Sequence, residues 1–176
     1  MEKIILVTGS PGAGKSFLIK NLYLKLKDLG YKIVKISASK RAFEKNLIVA
    51  YDVERDTHII DYENLKKTLE EDVKRLSKKE NHIIIIESTD PCIIRNHHVD
   101  LVIVVKCDPE ILKRRLEERK WPKLKIEENV DAEYMGIIYN EALKCFDKSK
   151  VLAVNLTKLD EVGTVINDIV FRITHW

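Results

Sequence analysis

Short apolar runs of strand length alternate along the chain with longer segments in which apolar residues recur every three or four positions. Ile4–Val7 reads as a buried strand. Lys15–Leu29 follows, with Leu18, Ile19, Leu22, Leu26 and Leu29 at helical spacing and Gly30 placed to close the helix. Lys32–Ile36 predicts a second strand. Residues 38–60 are irregular, with room for a short helix and a turn. Asp61 is a plausible N-cap for a helix that carries Leu65, Leu69, Val73 and Leu76 on one face. Ile83–Ile86 and Leu101–Val105 lack polar alternation, as strands covered on both faces do. Asp108-Pro109-Glu110 combines a cap, an N1 proline and a carboxylate at the positive end of a helix expected to reach Arg119. A basic loop with Trp121 and Pro122 precedes a helix expected over about 126–146. Val151–Val154 is the last strand, and Val162, Val165, Ile166, Ile169 and Ile173 mark a final helix. The alternation predicts an α/β fold: a five-stranded parallel sheet with helices on both faces, in one domain spanning 1–176.

Composition supports a real core: Ile, Leu, Val and Phe make up about a third of the chain, well above the level at which disorder sets in. The net charge of +3 is too mild to predict a nucleic-acid binder. The apolar runs are strand-length, so no membrane span is expected. The first residues run straight into a strand, with no signal-peptide pattern. Cys92, Cys107 and Cys145 are odd in number and far apart, which suggests neither a disulfide framework nor a metal knuckle. A cytoplasmic home is the expectation. Charged residues at 34% with abundant Ile, Lys and Glu would suit a heat-adapted organism.

Gly9-Ser10-Pro11-Gly12-Ala13-Gly14-Lys15-Ser16 fits G-x-x-x-x-G-K-[ST] between a strand and a helix. Glycines let such a loop wrap a phosphate without Cβ clashes, and its amides face the anion together with the helix N-terminus. The expected ATP-binding residues are Gly12, Ala13, Gly14, Lys15, Ser16 and Phe17, with Arg119 approaching from the lid. Lys15 is suited to the β- and γ-phosphates, and Ser16 to Mg²⁺. Glu87, at the end of the third sheet strand, is the second candidate metal residue, with Asp90 in reserve.

Thr157-Lys158-Leu159-Asp160 looks like a guanine-reading motif, but Glu87-Ser88-Thr89-Asp90 stands where the switch D-x-x-G belongs, the only D-x-x-G, Asp160–Gly163, comes too late, and the Asp160 region reads better as a helix start. A kinase explains more. Lys113, Arg114, Arg115, Arg119, Lys120, Lys123 and Lys125 crowd one segment, with Arg115 and Arg119 on the same helix face. They form a candidate lid over about 115–127, which would exclude water and neutralise a moving phosphoryl group. Lys15, Arg115 and Arg119 are the expected catalytic residues. His97-His98 and Tyr134 and Tyr139 read as structural, and Trp176 as packing on the last helix.

Four segments in order resemble the adenylate kinase isoenzyme 6 family: the phosphate loop; Tyr51-Asp52-Val53-Glu54-Arg55-Asp56, similar to Y-D-x-x-x-D; Arg115–Trp121, similar to R-L-x-x-R-G-Y; and Lys125–Phe146, with Asn129, Glu133, Glu141 and Ala142 in the family's helix pattern. The resemblance implies a P-loop kinase fold that transfers phosphate from ATP to AMP with Mg²⁺. It also implies weak ATPase activity and a role in small ribosomal subunit maturation through a ribosomal protein. Two positions depart from the pattern. Glu87 and Thr89 stand where the family has D-x-H, and Lys120 replaces the lid glycine. The acceptor nucleotide belongs to residues 38–60 and the following helix, where Arg41 is the candidate ligand for its phosphate.

Overall fold

The structure, a computed structural model, describes residues 3–77 and 82–175. Five strands build the central sheet: β1 (Lys3–Gly9), β2 (Lys32–Ser37), β5 (His82–Glu87), β6 (Leu101–Lys106) and β7 (Val151–Asn155). Their spatial order is β2-β5-β1-β6-β7, and every neighbouring pair is parallel. Strand pleating then sorts the apolar runs by parity. Ile5, Val7, Ile83, Ile85, Ile103 and Val105 face one core, shared with α1 (Lys15–Asp28), α4 (Pro109–Glu118) and α7 (Val162–Thr174). Ile4, Leu6, Ile84, Ile86, Val102 and Val104 face the other, shared with α3 (Tyr62–Leu76) and α6 (Ile137–Cys145). The runs lack polar alternation because both faces are covered.

Residues 38–60 hold more order than the sequence pattern suggests. Ser37 caps α2 (Ala38–Glu44), and β3 (Ile48–Asp52) pairs antiparallel with β4 (Thr57–Ile60) in a separate hairpin. The Asp52 carboxylate receives the Arg55 amide at 3.0 Å and the Arg55 guanidinium at 3.1 Å, so these residues do organise the local turn. Asp56 closes it at φ 46°, a left-handed conformation that aspartate tolerates better than most residues. Asp61 caps α3 through the Asn64 amide, as expected.

The helix expected over about 126–146 is two helices. α5 (Lys123–Tyr134) ends before Gly136, which takes φ 64° and starts α6. A glycine inside a helix weakens it, and here it supplies the bend. The break leaves Tyr134 82% exposed, against the expectation that it packs, whereas Tyr139 lies against the second core.

The cysteine reading also needs correction. Cys92 and Cys145 form a disulfide with their Cα atoms 5.7 Å apart, and Cys107 alone stays a buried free thiol. Distance along the sequence hid the pair, because the fold lays the turn at Pro91–Ile93 against the end of α6. His97 and His98 sit in a short turn, and no group of metal ligands occurs among the described residues. No described helix is long and apolar enough to cross a membrane. Trp176 lies outside the described residues.

Candidate functional site

A cleft of about 510 Å³ opens at the carboxyl ends of β1 and β5. The phosphate loop forms its floor. Gly12 and Gly14 hold φ of 85° and 113°, conformations L side chains rarely adopt. Both glycines are also hemmed in by apolar side chains. A Cβ on Gly12 would meet Leu116 at 3.0 Å, and one on Gly14 would meet Leu156 at 3.2 Å. The Ala13 side chain is fully buried, and its amide donates to the Ser10 carbonyl at 3.1 Å. Phe17 lies on the cleft wall.

Lys15 is only 8% exposed, and its Nζ donates to the Gly9 and Ser10 carbonyls at 2.8 and 3.0 Å. Burial pushes this ammonium down to about 8; Glu87 and Glu133 pull it up, and Arg119 pushes it further down. A bound phosphate would replace two carbonyl dipoles with full negative charge. Ser16 Oγ donates to Glu87 Oε1 at 2.8 Å, so the two candidate metal residues do meet. A hydroxyl and a carboxylate are hard oxygen donors, which fits Mg²⁺. Asp90 is spent as a cap on the Cys92 amide at 2.7 Å. Thr89 lines the cleft, and its carbonyl receives Thr8 Oγ1 at 3.3 Å.

The two lid arginines differ. Arg119 ends α4 at the cleft, with its guanidinium carbon 6.0 Å from the Trp121 ring centre. Arg115 also borders the cleft, but main-chain oxygens hold its guanidinium. Nη1 donates to Gly12 O at 3.2 Å, and Nη2 to Leu156 O and Thr157 O at 3.0 Å each. This geometry makes Arg115 a clamp between the phosphate loop and the segment after β7. Lys120, where the family has glycine, sits at φ 56°. The turn after α4 therefore holds a lysine in the left-handed conformation, at a cost of about 1 kcal/mol. Lys120→Gly is expected to raise the melting temperature by about 2 °C, the relieved strain narrowly exceeding the added chain entropy. A drop of similar size in a thermal melt would contradict that.

Arg41 departs from its expected place. Nε and Nη2 grip the buried Asp72 at 2.6 and 2.8 Å, and Nη1 reaches Glu44 at 3.2 Å. It borders a separate pocket of about 240 Å³ and does not line the main cleft. A bidentate pair with a buried carboxylate explains why. Facing the phosphate loop instead are Ser37, Ser39, Ile60, Tyr62 and Leu65, of which Leu65 read only as part of a helix's apolar face. Asp160 is likewise no part of the cleft lining and belongs to the turn Leu159–Glu161 that starts α7. Sequence reasoning also passed over Ser10 as a polar anchor, although a nearly unexposed serine in a phosphate loop needs a partner.

A family model described as an AAA domain matches residues 5–136. A protein of Methanocaldococcus jannaschii named "Putative adenylate kinase" is 32% identical over 97% of this chain and 86% of its own length. One of the same name from Saccharolobus solfataricus is 36% identical over 89% of this chain and 76% of its own. The "Adenylate kinase isoenzyme 6 homolog FAP7" of Saccharomyces cerevisiae is 36% identical over 92% of this chain and 77% of its own. Kinship on this scale covers the phosphate loop, the lid and the hairpin together, and the chain belongs to the adenylate kinase isoenzyme 6 family.

Proposed function

We propose that the protein is a nucleoside monophosphate kinase of adenylate kinase type, moving the γ-phosphoryl group of Mg²⁺–ATP to AMP and releasing two ADP. The observation that carries the reading is one cleft with two unlike halves. A cationic half holds Lys15, Arg119 and the Ser16–Glu87 pair; the other presents Ser37, Ser39, Ile60, Tyr62 and Leu65. Such a cleft suits a triphosphate beside a second, smaller nucleotide.

Catalysis here is positioning and charge neutralisation. Lys15 and the loop amides hold the β- and γ-phosphates. Arg119 meets charge that develops on the moving group. The Ser16 and Glu87 oxygens would hold Mg²⁺, which neutralises phosphate charge when bound. The acceptor phosphate is already anionic, so no general base is needed. The homologue names support the adenylate preference.

A second reading is an ATPase switch that acts on a small-subunit ribosomal protein during ribosome maturation, as the family resemblance implies. Arg41 favours it, because a guanidinium locked on Asp72 is not offered to an acceptor phosphate.

One assay separates the two. Mg²⁺–ATP is incubated with AMP, with each other nucleoside monophosphate and with water alone. ADP formation that requires AMP is the expected result. Slow phosphate release indifferent to every monophosphate would overturn the kinase reading and favour the switch.

A further inference from the structure

Helix α5 touches both the phosphate loop and the β3–β4 hairpin. At its C-terminal end, Glu133 Oε2 accepts Ser10 Oγ at 2.6 Å and Oε1 accepts the Cys107 amide at 2.9 Å. The carboxylate thus ties the phosphate loop to the end of β6. The Ser10 contact is short and charge-assisted. The carbonyl of the same Ser10 receives Lys15 Nζ, so side chain and main chain of one residue are held by opposite charges.

At the N-terminal end the partner is the hairpin turn. Arg55 donates Nε and Nη2 to the Glu128 carboxylate at 2.9 and 2.6 Å, while Asp52 steadies its other arm. Lys125 Nζ donates to the Asp56 carbonyl at 3.2 Å and to Thr57 Oγ1 at 3.3 Å. Glu128 and Glu133 are five residues apart, roughly 7.5 Å along a helix. Ile126, buried in the first core that Leu116 of α4 also joins, seats the same helix. A shift of the hairpin therefore moves the carboxylate that orders Ser10.

We infer that α5 is a strut through which the β3–β4 hairpin tunes the grip of the phosphate loop on the triphosphate, with Glu133 as the positioning residue at the donor end. The inference rests on the kinase reading only in assigning the hairpin to the acceptor side. The test uses the donor alone.

Arg55 and Glu128 are both partly exposed, so their pairing contributes little to stability and its loss should spare the fold. Affinity for Mg²⁺ and a non-hydrolysable ATP analogue is measured by titration calorimetry in the unaltered protein, in Arg55→Ala, in Glu133→Gln and in the double variant, with a thermal melt of each. Glu133→Gln should weaken binding about ten-fold. Arg55→Ala, which touches nothing in the phosphate loop, should weaken it about three-fold. The double variant should bind no more weakly than Glu133→Gln, and Arg55→Lys should recover part of the loss. Distant residues with no coupling have multiplying effects. An Arg55→Ala affinity equal to that of the unaltered protein, or losses that multiply in the double variant, would overturn the strut. Should Glu133→Gln fail to fold, Ser10→Ala takes its place, removing only the hydroxyl donor. Non-additivity without AMP-dependent transfer would sink the kinase reading and leave the strut standing.

Discussion

Lys15→Met should leave a folded protein that transfers phosphate at least about a thousand-fold more slowly. Removing a single preorganised donor to a developing anion typically costs a hundred- to a thousand-fold in turnover. Lys15 supplies a full charge from a buried site, where screening by water is weak. Methionine fills much the same volume as the aliphatic stem, so the loop keeps its packing. The variant also removes a buried ammonium, so its melting temperature should equal or exceed that of the parent.

The same lysine predicts a pH dependence. Its ammonium titrates near 8 in the free protein, and neighbouring phosphate charge must raise that value. Between the free and bound values, binding takes up a proton. ATP affinity should therefore be full below pH 8 and fall as pH rises through 8. Calorimetry in two buffers of different ionisation heat reads the uptake directly. Uptake that persists in Lys15→Met would assign the proton to another group. The linkage to folding runs the other way. From about pH 8 toward 10.5, the unfolded lysine binds more protons than the folded one, so the free protein gains stability across that window.

Cys92→Ser should lower the melting temperature by roughly 10 °C under non-reducing conditions. The disulfide joins residues 53 apart in sequence. Closing a loop of that length in the unfolded chain stabilises the fold by about 4 kcal/mol on the chain-entropy account, and a chain of this size shifts by a few degrees per kcal/mol. A strong reductant should produce the same shift in the parent and none in the variant. Equal melts with and without reductant would show that the two thiols are not joined.

The centre of the sheet was readable because β1, β5 and β6 carry continuous runs of Ile, Val and Leu. Ile83–Ile86 and Leu101–Val105 needed only their apolar character and length. The hairpin was not readable in the same way. β3 and β4 are four or five residues each, largely exposed, and joined by a turn without glycine, so neither periodicity nor a turn signal stood out. Val49, Tyr51 and Ile59 are nonetheless strand-favouring residues on either side of a tight connection, and that was the available cue. The split at Gly136 was hidden by apolar spacing that continues across it.

For the site, Gly12 to Ser16 stood out as a motif of fixed spacing and Glu87 by its place at a strand end, and the structure brings Ser16 and Glu87 together. Arg115, Arg119 and Arg41 were legible only as cations. A guanidinium has no spacing rule that separates a phosphate ligand from a clamp on carbonyls or a partner for a buried aspartate. Only the fold shows that Leu156 and Thr157 come to Arg115, and Asp72 to Arg41. Glu133 entered as one letter of a helix pattern, and its two hydrogen-bond partners lie 123 and 26 residues away.

The side chains pressed against Gly12 and Gly14 bear on what the loop motif records. Leu112 and Leu116 would have to give by a few tenths of an ångström to admit a Cβ at Gly12, as Leu156 would at Gly14. Replacing either glycine would therefore disturb the seating of α4 or the segment after β7 even in a molecule that had stopped turning over nucleotide. On the kinase reading, a descendant that lost transfer but kept its shape would retain both glycines. The residues free to drift in such a descendant are those that packing does not hold, Arg119 first among them.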